Sequence, residues 1–204
     1  EDWRHSADCQ RKRPDLFLAQ GQHCDHPGKH PYRVKNWRAD STADPAKIRA
    51  WWGRNPHMGI AIDCDKSGLL ILDADLYKDD SVTSEAQAVF ERVDRETTTI
   101  KAISGGLGSH IYMRRPPGKE WSNETGGLPA GIDIRGAGGY IIMPPSLHWS
   151  GGRYEWEADS GPEDVELSDP PAWLAELLDA AAMSKQGRKV RYTGGGSAGA
   201  WDGK

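Results

Sequence analysis

Asp73 and Asp75 stand two residues apart at the end of an apolar run, Leu69-Leu70-Ile71-Leu72. Side chains alternate along a strand, so both carboxylates share one face. Two carboxylates that close repel each other and stay ionised together only with a cation between them. Mg²⁺ and Mn²⁺ favour such hard oxygen ligands and keep several of their waters. Asp133 is a third carboxylate, inside the apolar strand Gly131-Ile132-Asp133-Ile134-Arg135, where a charge needs a partner. Three carboxylates on neighbouring strands suit two metals about 4 Å apart, the arrangement used for phosphoryl chemistry. An Asp-x-Asp at a strand end also serves as a cap or a turn. That is the reading for Asp63-Cys64-Asp65, which has the same spacing but lies in a polar turn. It is assigned no metal.

The run Ser104-Gly105-Gly106-Leu107-Gly108-Ser109-His110 joins two apolar segments. Its glycines let backbone approach a ligand closely. It lacks the Lys-Ser/Thr ending of a Walker loop. His110 can donate to a triphosphate oxygen, and equally suits a hydrogen-bonded strand histidine. Arg135 follows Asp133 by two and shares its face. It fits an ion pair, or a phosphate clamp beside a metal cluster. A separate group, Cys9, Cys24 and His26 with His23 and His30, offers ligands for a structural Zn²⁺. Its spacing fits no standard finger. Otherwise these histidines line a nucleic-acid groove in a polar lobe.

The elements that position these groups follow from periodicity. Residues 1–40 are rich in His, Lys, Arg and Pro around one apolar run, Leu16-Phe17-Leu18, and predict an irregular lobe with one or two strands. Asp44-Pro45 is an N-cap with proline in the first turn, opening a helix over 45–53 that Asn55-Pro56 ends. Gly59-Ile60-Ala61-Ile62 and Leu69–Leu72, joined by a glycine-containing polar turn, predict a hairpin. Ala86, Val89, Phe90 and Val93 mark a helix over 84–95. Strands are predicted at 99–103, 109–113, 131–135, 139–143 and 154–156, with loop at 114–130. Trp173, Leu174, Leu177 and Leu178 define a helix over about 171–182. Gly, Ser, Lys and Arg after residue 184 predict a flexible linker. The class is therefore α+β, a largely antiparallel sheet with helices on one side. Residues 1–184 form one domain sharing one core, with a unit over about 1–62 and a metal-binding unit over 63–184. Residues 185–204 are the tail.

The chain has 204 residues and a formal charge of −4. That balance argues against a protein that coats nucleic acid generally, but not against an enzyme with one basic groove. Three cysteines are too few, and odd in number, for a disulfide framework, so a reducing cytoplasm is expected. No run of about 18 apolar residues is present, so no membrane span is expected. The chain opens on Glu1, as a trimmed or excised piece would.

The ordered set of segments resembles the bifunctional DNA primase/polymerase family of the archaeo-eukaryotic primase superfamily. The matching pieces are Gly28-Lys29-His30-Pro31, Trp51-Trp52 with Asn55-Pro56, Gly59–Ile62, Leu72-Asp73-Ala74-Asp75, and Ser104-Gly105-Gly106 through His110-Ile111-Tyr112. They continue with Gly131-Ile132-Asp133-Ile134-Arg135-Gly136, Gly138-Gly139-Tyr140, Pro144-Pro145-Ser146-Leu147-His148, Gly152–Trp156 and Pro171–Leu174. They span roughly residues 27–178.

The resemblance implies an RRM-like catalytic sheet packed with helices against an N-terminal α/β unit. It implies that Asp73, Asp75 and Asp133 bind the metals and that His110 touches the incoming nucleotide's phosphates. Where the superfamily often has Ser two places before that His, this chain has Gly108, with Ser109 adjacent. Arg135, Ser109, Ser146, His148 and Lys29 are implied nucleotide or template contacts. The implied activity is template-directed nucleotidyl transfer, making and extending primers with Mg²⁺ or Mn²⁺ in phage or plasmid replication. Its partners are single-stranded DNA template and primer, dNTPs or NTPs, and a fused helicase, with no membrane. Two other functions use similar residues: a non-catalytic module binding single-stranded nucleic acid, and a metal-dependent phosphodiesterase.

Overall fold

The computed structural model describes Lys29, Pro31 and residues 36–76, 83–123 and 125–193, the side chains of 186–193 excepted. The predicted strand around Leu16–Leu18 lies outside them. The Asp44 carboxylate accepts from Ala46 N at 2.9 Å and Pro45 sits in the first turn, so helix α2 (Pro45–Arg54) starts where the capping signal predicts. One short helix that the sequence reading missed precedes it, α1 (Trp37–Asp40), capped by Asn36.

Strand β2 (Leu69–Ala74) is buried along nearly its whole length. Such a strand needs a neighbour on each edge, and it has them. The order of the five-stranded sheet is β5 (Ile132–Arg135), β2, β4 (Ser109–Arg114), β3 (Lys101–Ile103), β7 (Glu155–Trp156), with antiparallel pairing throughout. The hairpin predicted between residues 60–62 and 69–72 does not form. Strand β1 (Ile60–Asp63) pairs instead with β6 (Tyr140–Met143), as a separate two-stranded antiparallel ribbon. The reason is that β4 and β5 already occupy both edges of β2. The intervening turn bends the chain out of the sheet through Gly68, whose φ of 62° suits glycine.

Alternation along these strands makes two cores. On one face Leu70, Leu72 and Ala74 of β2, Ile111 and Met113 of β4, and Ile132 and Ile134 of β5 pack against Ala86 and Val93 of α3 (Ser84–Glu96) and Leu174 and Leu178 of α4 (Ala172–Thr193). Burial of such side chains stabilises by roughly 1.5–3 kcal/mol each. On the other face Leu69, Ile71, Ala102 and Tyr112 pack with Cys64 and with Ile141 of the ribbon. Helices thus cover one face and the β1–β6 ribbon the other. Helix α4 runs to Thr193, past residue 184 where a linker was predicted. Lys185, Gln186, Arg188 and Lys189 are good helix formers, and Gly187 costs only about 1 kcal/mol inside a helix. Among the described residues no helix is long and apolar enough to cross a membrane.

Candidate active site

The last residues of β2 bring the predicted side chains together through register. Asp73 lies opposite His110 of β4 on one side and Asp133 of β5 on the other. Directly opposed residues of an antiparallel ladder point to the same face, so these three form one row across the sheet. Arg135 lies two residues on from Asp133, on the same face but in the next row, opposite Ile71. Its Nη2 and Nε donate to Asp73 Oδ2 at 2.9 and 3.1 Å, and its Nη2 reaches Asp133 Oδ2 at 3.4 Å.

These carboxylates differ in setting. The Asp73 side chain is 12% exposed and that of Asp133 67% exposed. Asp133 has the partner that its place in an apolar strand calls for, Arg135, but as β5 is the edge strand water reaches it as well. Burial by itself would push the Asp73 carboxyl up. The hydrogen bond and charge of His110, then those of Arg135, outweigh it and hold Asp73 well below the usual carboxylate range. Burial would likewise lower the Arg135 guanidinium. The charge and hydrogen bond of Asp73, then the charges of Asp133 and Asp75, hold it above its ordinary value instead. All three acids thus act electrostatically on one guanidinium.

His110 is 4% exposed. Its Nε2 stands 3.4 Å from Asp73 Oδ1, while its buried Nδ1 has no hydrogen-bond partner among the described residues. A buried ring nitrogen without a partner is costly, and at a functional site it marks a place where a ligand can bind.

Asp75 lies against the glycine turn, its backbone N donating to Gly131 O at 2.8 Å. A Cβ at Gly108 would lie 2.8 Å from Asp75 Oδ1 and 3.1 Å from Ala74 O, so any larger residue here would displace the Asp75 carboxylate. Gly108 N donates to Ser104 Oγ at 2.9 Å, which closes the turn. The turn in turn seats on the loop at 147–153. Ser150 Oγ donates to Gly105 O at 2.8 Å, and a Cβ at Gly105 would collide with His148. His148 is buried and reaches His110 through Tyr154, whose ring centroid lies 5.8 Å from each histidine.

Other predicted contacts fall elsewhere. Ser109 precedes His110, so alternation points it to the helix-covered face, where its register partner is Ala74. That separates it from the Asp73 row. Ser146 is buried, its Oγ accepting from Ile60 N at 2.7 Å and donating to Ile60 O at 3.3 Å. Its hydroxyl ties the β6–β7 connection to β1. Lys29 O accepts from Tyr140 Oη at 2.7 Å, which fastens that segment to β6. Asp63 behaves as a turn residue, accepting from Asp65 N, Lys66 N and Ser41 Oγ. Cys9, His23, Cys24, His26 and His30 lie outside the described residues. Asn123 was missed in the predicted loop. With its amide oriented to satisfy both neighbours, it accepts from Arg135 Nη1 at 2.9 Å and donates to Ile134 O at 3.2 Å. No local pattern marks it.

Among the described residues no three His, Cys, Asp or Glu side chains enclose a metal position, and the group found between Asp73 and Asp133 is the Arg135 guanidinium. The donor chemistry nevertheless suits a hard divalent cation: the residues that meet at this positive group are carboxylates. One family model matches the chain, over residues 16–173: bifunctional DNA primase/polymerase, N-terminal. No curated protein matches it.

Proposed function

The chain belongs to the bifunctional DNA primase/polymerase family, whose role is nucleotidyl transfer, and from that premise we propose that it makes and extends primers on a single-stranded DNA template. The observation that carries this reading is the row His110–Asp73–Asp133 with Arg135 bound across its two carboxylates and Asp75 close by.

Asp73, Asp75 and Asp133 are the residues that would hold Mg²⁺ or Mn²⁺, which when bound activates the attacking hydroxyl and neutralises charge on departing pyrophosphate. Arg135 is the resident counter-charge of Asp73 and Asp133. Its planar fork is the group that would take the phosphate oxygens of a bound nucleotide. His110 places a buried ring beside the same carboxylate, and its partnerless nitrogen suits a phosphate oxygen or a water that bridges to one. Gly108 keeps the turn thin, so that Asp75 stays at the end of β2 with no side chain from the turn in its way. Asn123 steadies Arg135 at Nη1, away from the Nε and Nη2 that bond Asp73. His148 and Lys29 belong to the surrounding nucleotide or template groove.

We further propose that the sheet is the RRM-like sheet of the archaeo-eukaryotic primases. The order β5-β2-β4-β3, with α3 between β2 and β3, supports it. Here the second helix on the covered face is α4, which follows β7. Work in phage or plasmid replication, beside a helicase, is part of the same proposal.

The test is synthesis on a short single-stranded template, with and without an annealed primer, using labelled dNTPs or NTPs and Mn²⁺ or Mg²⁺. Products resolved by length from the wild-type chain, and absent from Asp73→Ala, are expected. Full synthesis by Asp73→Ala would sink the assignment.

A further inference from the structure

Two large apolar side chains stand out of the surface next to this site. Leu107, at the tip of the glycine turn, is 76% exposed and Trp149, at the tip of the loop at 147–153, is 54% exposed. The turn and the loop touch: Ser150 Oγ donates to Gly105 O, and Gly105 packs against His148 and Gly152. Leu107 holds a φ of 71°, a conformation that an L side chain rarely adopts. A flexible loop would relax it. Here Leu107 N donates to Ser104 O at 2.9 Å and Gly108 N to Ser104 Oγ at 2.9 Å, so the turn keeps Leu107 pointing outward.

The loop that carries Trp149 is equally fixed. Leu147 and Arg153 form an antiparallel bridge across its neck, and His148 N donates to Gly152 O at 2.7 Å. The His148 ring lies 5.6 Å from that of Trp149 at an interplanar angle of 46°. The indole is therefore presented on a rigid support, which reduces the ordering cost of any planar ligand that lands on it. Arg153 is exposed at the same neck. One Nη donates to Pro145 O at 3.2 Å, and among the described residues it pairs with no carboxylate.

An exposed aromatic face on the same loop as a cation that has no acidic partner among the described residues, seated on the turn that borders Asp75, fits a strand of bases joined by phosphates. We infer that Trp149 is a stacking platform for a base of the single-stranded template, with Leu107 bordering it and Arg153 holding the adjoining phosphate. Every base has a π-face, so such a platform accepts any sequence, as a template surface must. The inference rests on the proposed function for its choice of ligand, but not on the metal or on catalysis.

The experiment is anisotropy of a labelled oligothymidylate titrated with wild type, Trp149→Ala and Trp149→Phe, in EDTA so that the carboxylates' metals play no part. Primer extension by the wild-type chain runs beside it. Stacking on one aromatic residue predicts roughly 5- to 150-fold weaker binding by Trp149→Ala, with Trp149→Phe within about threefold of wild type. Arg153→Ala should also weaken binding and flatten its salt dependence. Equal affinity of Trp149→Ala and wild type overturns the platform, and leaves nucleotidyl transfer standing if extension is seen. No strand binding by the wild type overturns the platform as well. Binding that depends on Trp149 without any extension product upholds the platform and defeats the catalytic reading.

Discussion

Asp73 faces Asp133 directly across the β2–β5 ladder, and a single guanidinium, that of Arg135, bonds to Asp73 and reaches Asp133. Neighbouring acids aimed at one point repel one another unless a positive charge lies between them. In this structure the protein supplies that charge itself. The two facing carboxylates are thus balanced by a side chain of the same sheet.

Asp73→Asn keeps the shape of the side chain and removes its charge. Loss of one preorganised charge at a reacting centre typically costs about 10²–10³-fold in rate, and that loss is expected here in primer extension. The far-ultraviolet circular dichroism should not change, since the core beneath consists of Leu70, Leu72 and their neighbours. Extension within twofold of wild type would remove Asp73 from the chemistry.

Arg135→Ala leaves a mostly buried carboxylate at Asp73 without its guanidinium partner and with His110 alone beside it. Breaking a buried ion pair from one side costs about 3–5 kcal/mol, so denaturant midpoints should fall markedly. On the proposed function a divalent cation would take the same carboxylates as Arg135, so Mn²⁺ should raise the Tm of Arg135→Ala more than that of wild type. Equal Mn²⁺ shifts in the two proteins would separate Arg135 from the metal position. Arg135→Lys should regain part of the stability but less of the extension rate, since an ammonium lacks the planar fork.

Gly108→Ala tests the seat of Asp75. The added methyl would meet Asp75 Oδ1 at 2.8 Å and Ala74 O and Ser104 Oγ at 3.1 Å. Overpacking of this kind costs about 1–3 kcal/mol, and here the group able to yield is the Asp75 carboxylate. Extension should fall by far more than stability. A fully active Gly108→Ala chain would show that Asp75 can move without consequence.

Cys64 predicts behaviour at high pH. Burial first, then the charge of Asp63, pushes its thiol from the ordinary value of 9.0 up to about 12. The unfolded chain therefore releases this proton at lower pH than the folded one. The sign follows from linkage: the contribution is complete below pH 9.0 and is lost as pH rises toward about 12. Stability measured by denaturant should fall over that window, and less steeply in Cys64→Ala. In the native protein at pH 8 peptide mapping should find Cys64 unalkylated by iodoacetamide. It should label only after unfolding.

Much of this arrangement was legible along the chain. The apolar run ending in Asp73 and Asp75, the helix opened by Asp44-Pro45 and the strand pair around residues 104–108 all follow from short-range rules of alternation, capping and turn chemistry. The same alternation placed Arg135 with Asp133, and applied to Ser109 it would have put that residue on the face opposite His110. Local rules also explain why Asp63 caps its own turn through Asp65 N and Lys66 N, though not its bond from the distant Ser41 hydroxyl.

Register and sheet order were not legible, because they depend on which distant segments compete for an edge. Nothing near Leu69 states that β4 and β5 flank β2 and exclude β1. Yet that competition sends β1 to β6 and sets Asp73 between His110 and Asp133. It also makes β5 an edge strand, so that Asp133 meets water where its apolar neighbours suggested burial. Asn123 against Arg135 and Gly108 against Asp75 are contacts between segments remote in sequence or joined only by a folded turn. Side-chain periodicity alone determined which residues share a face. Only the burial of β2 on both faces and both edges decided which of them meet.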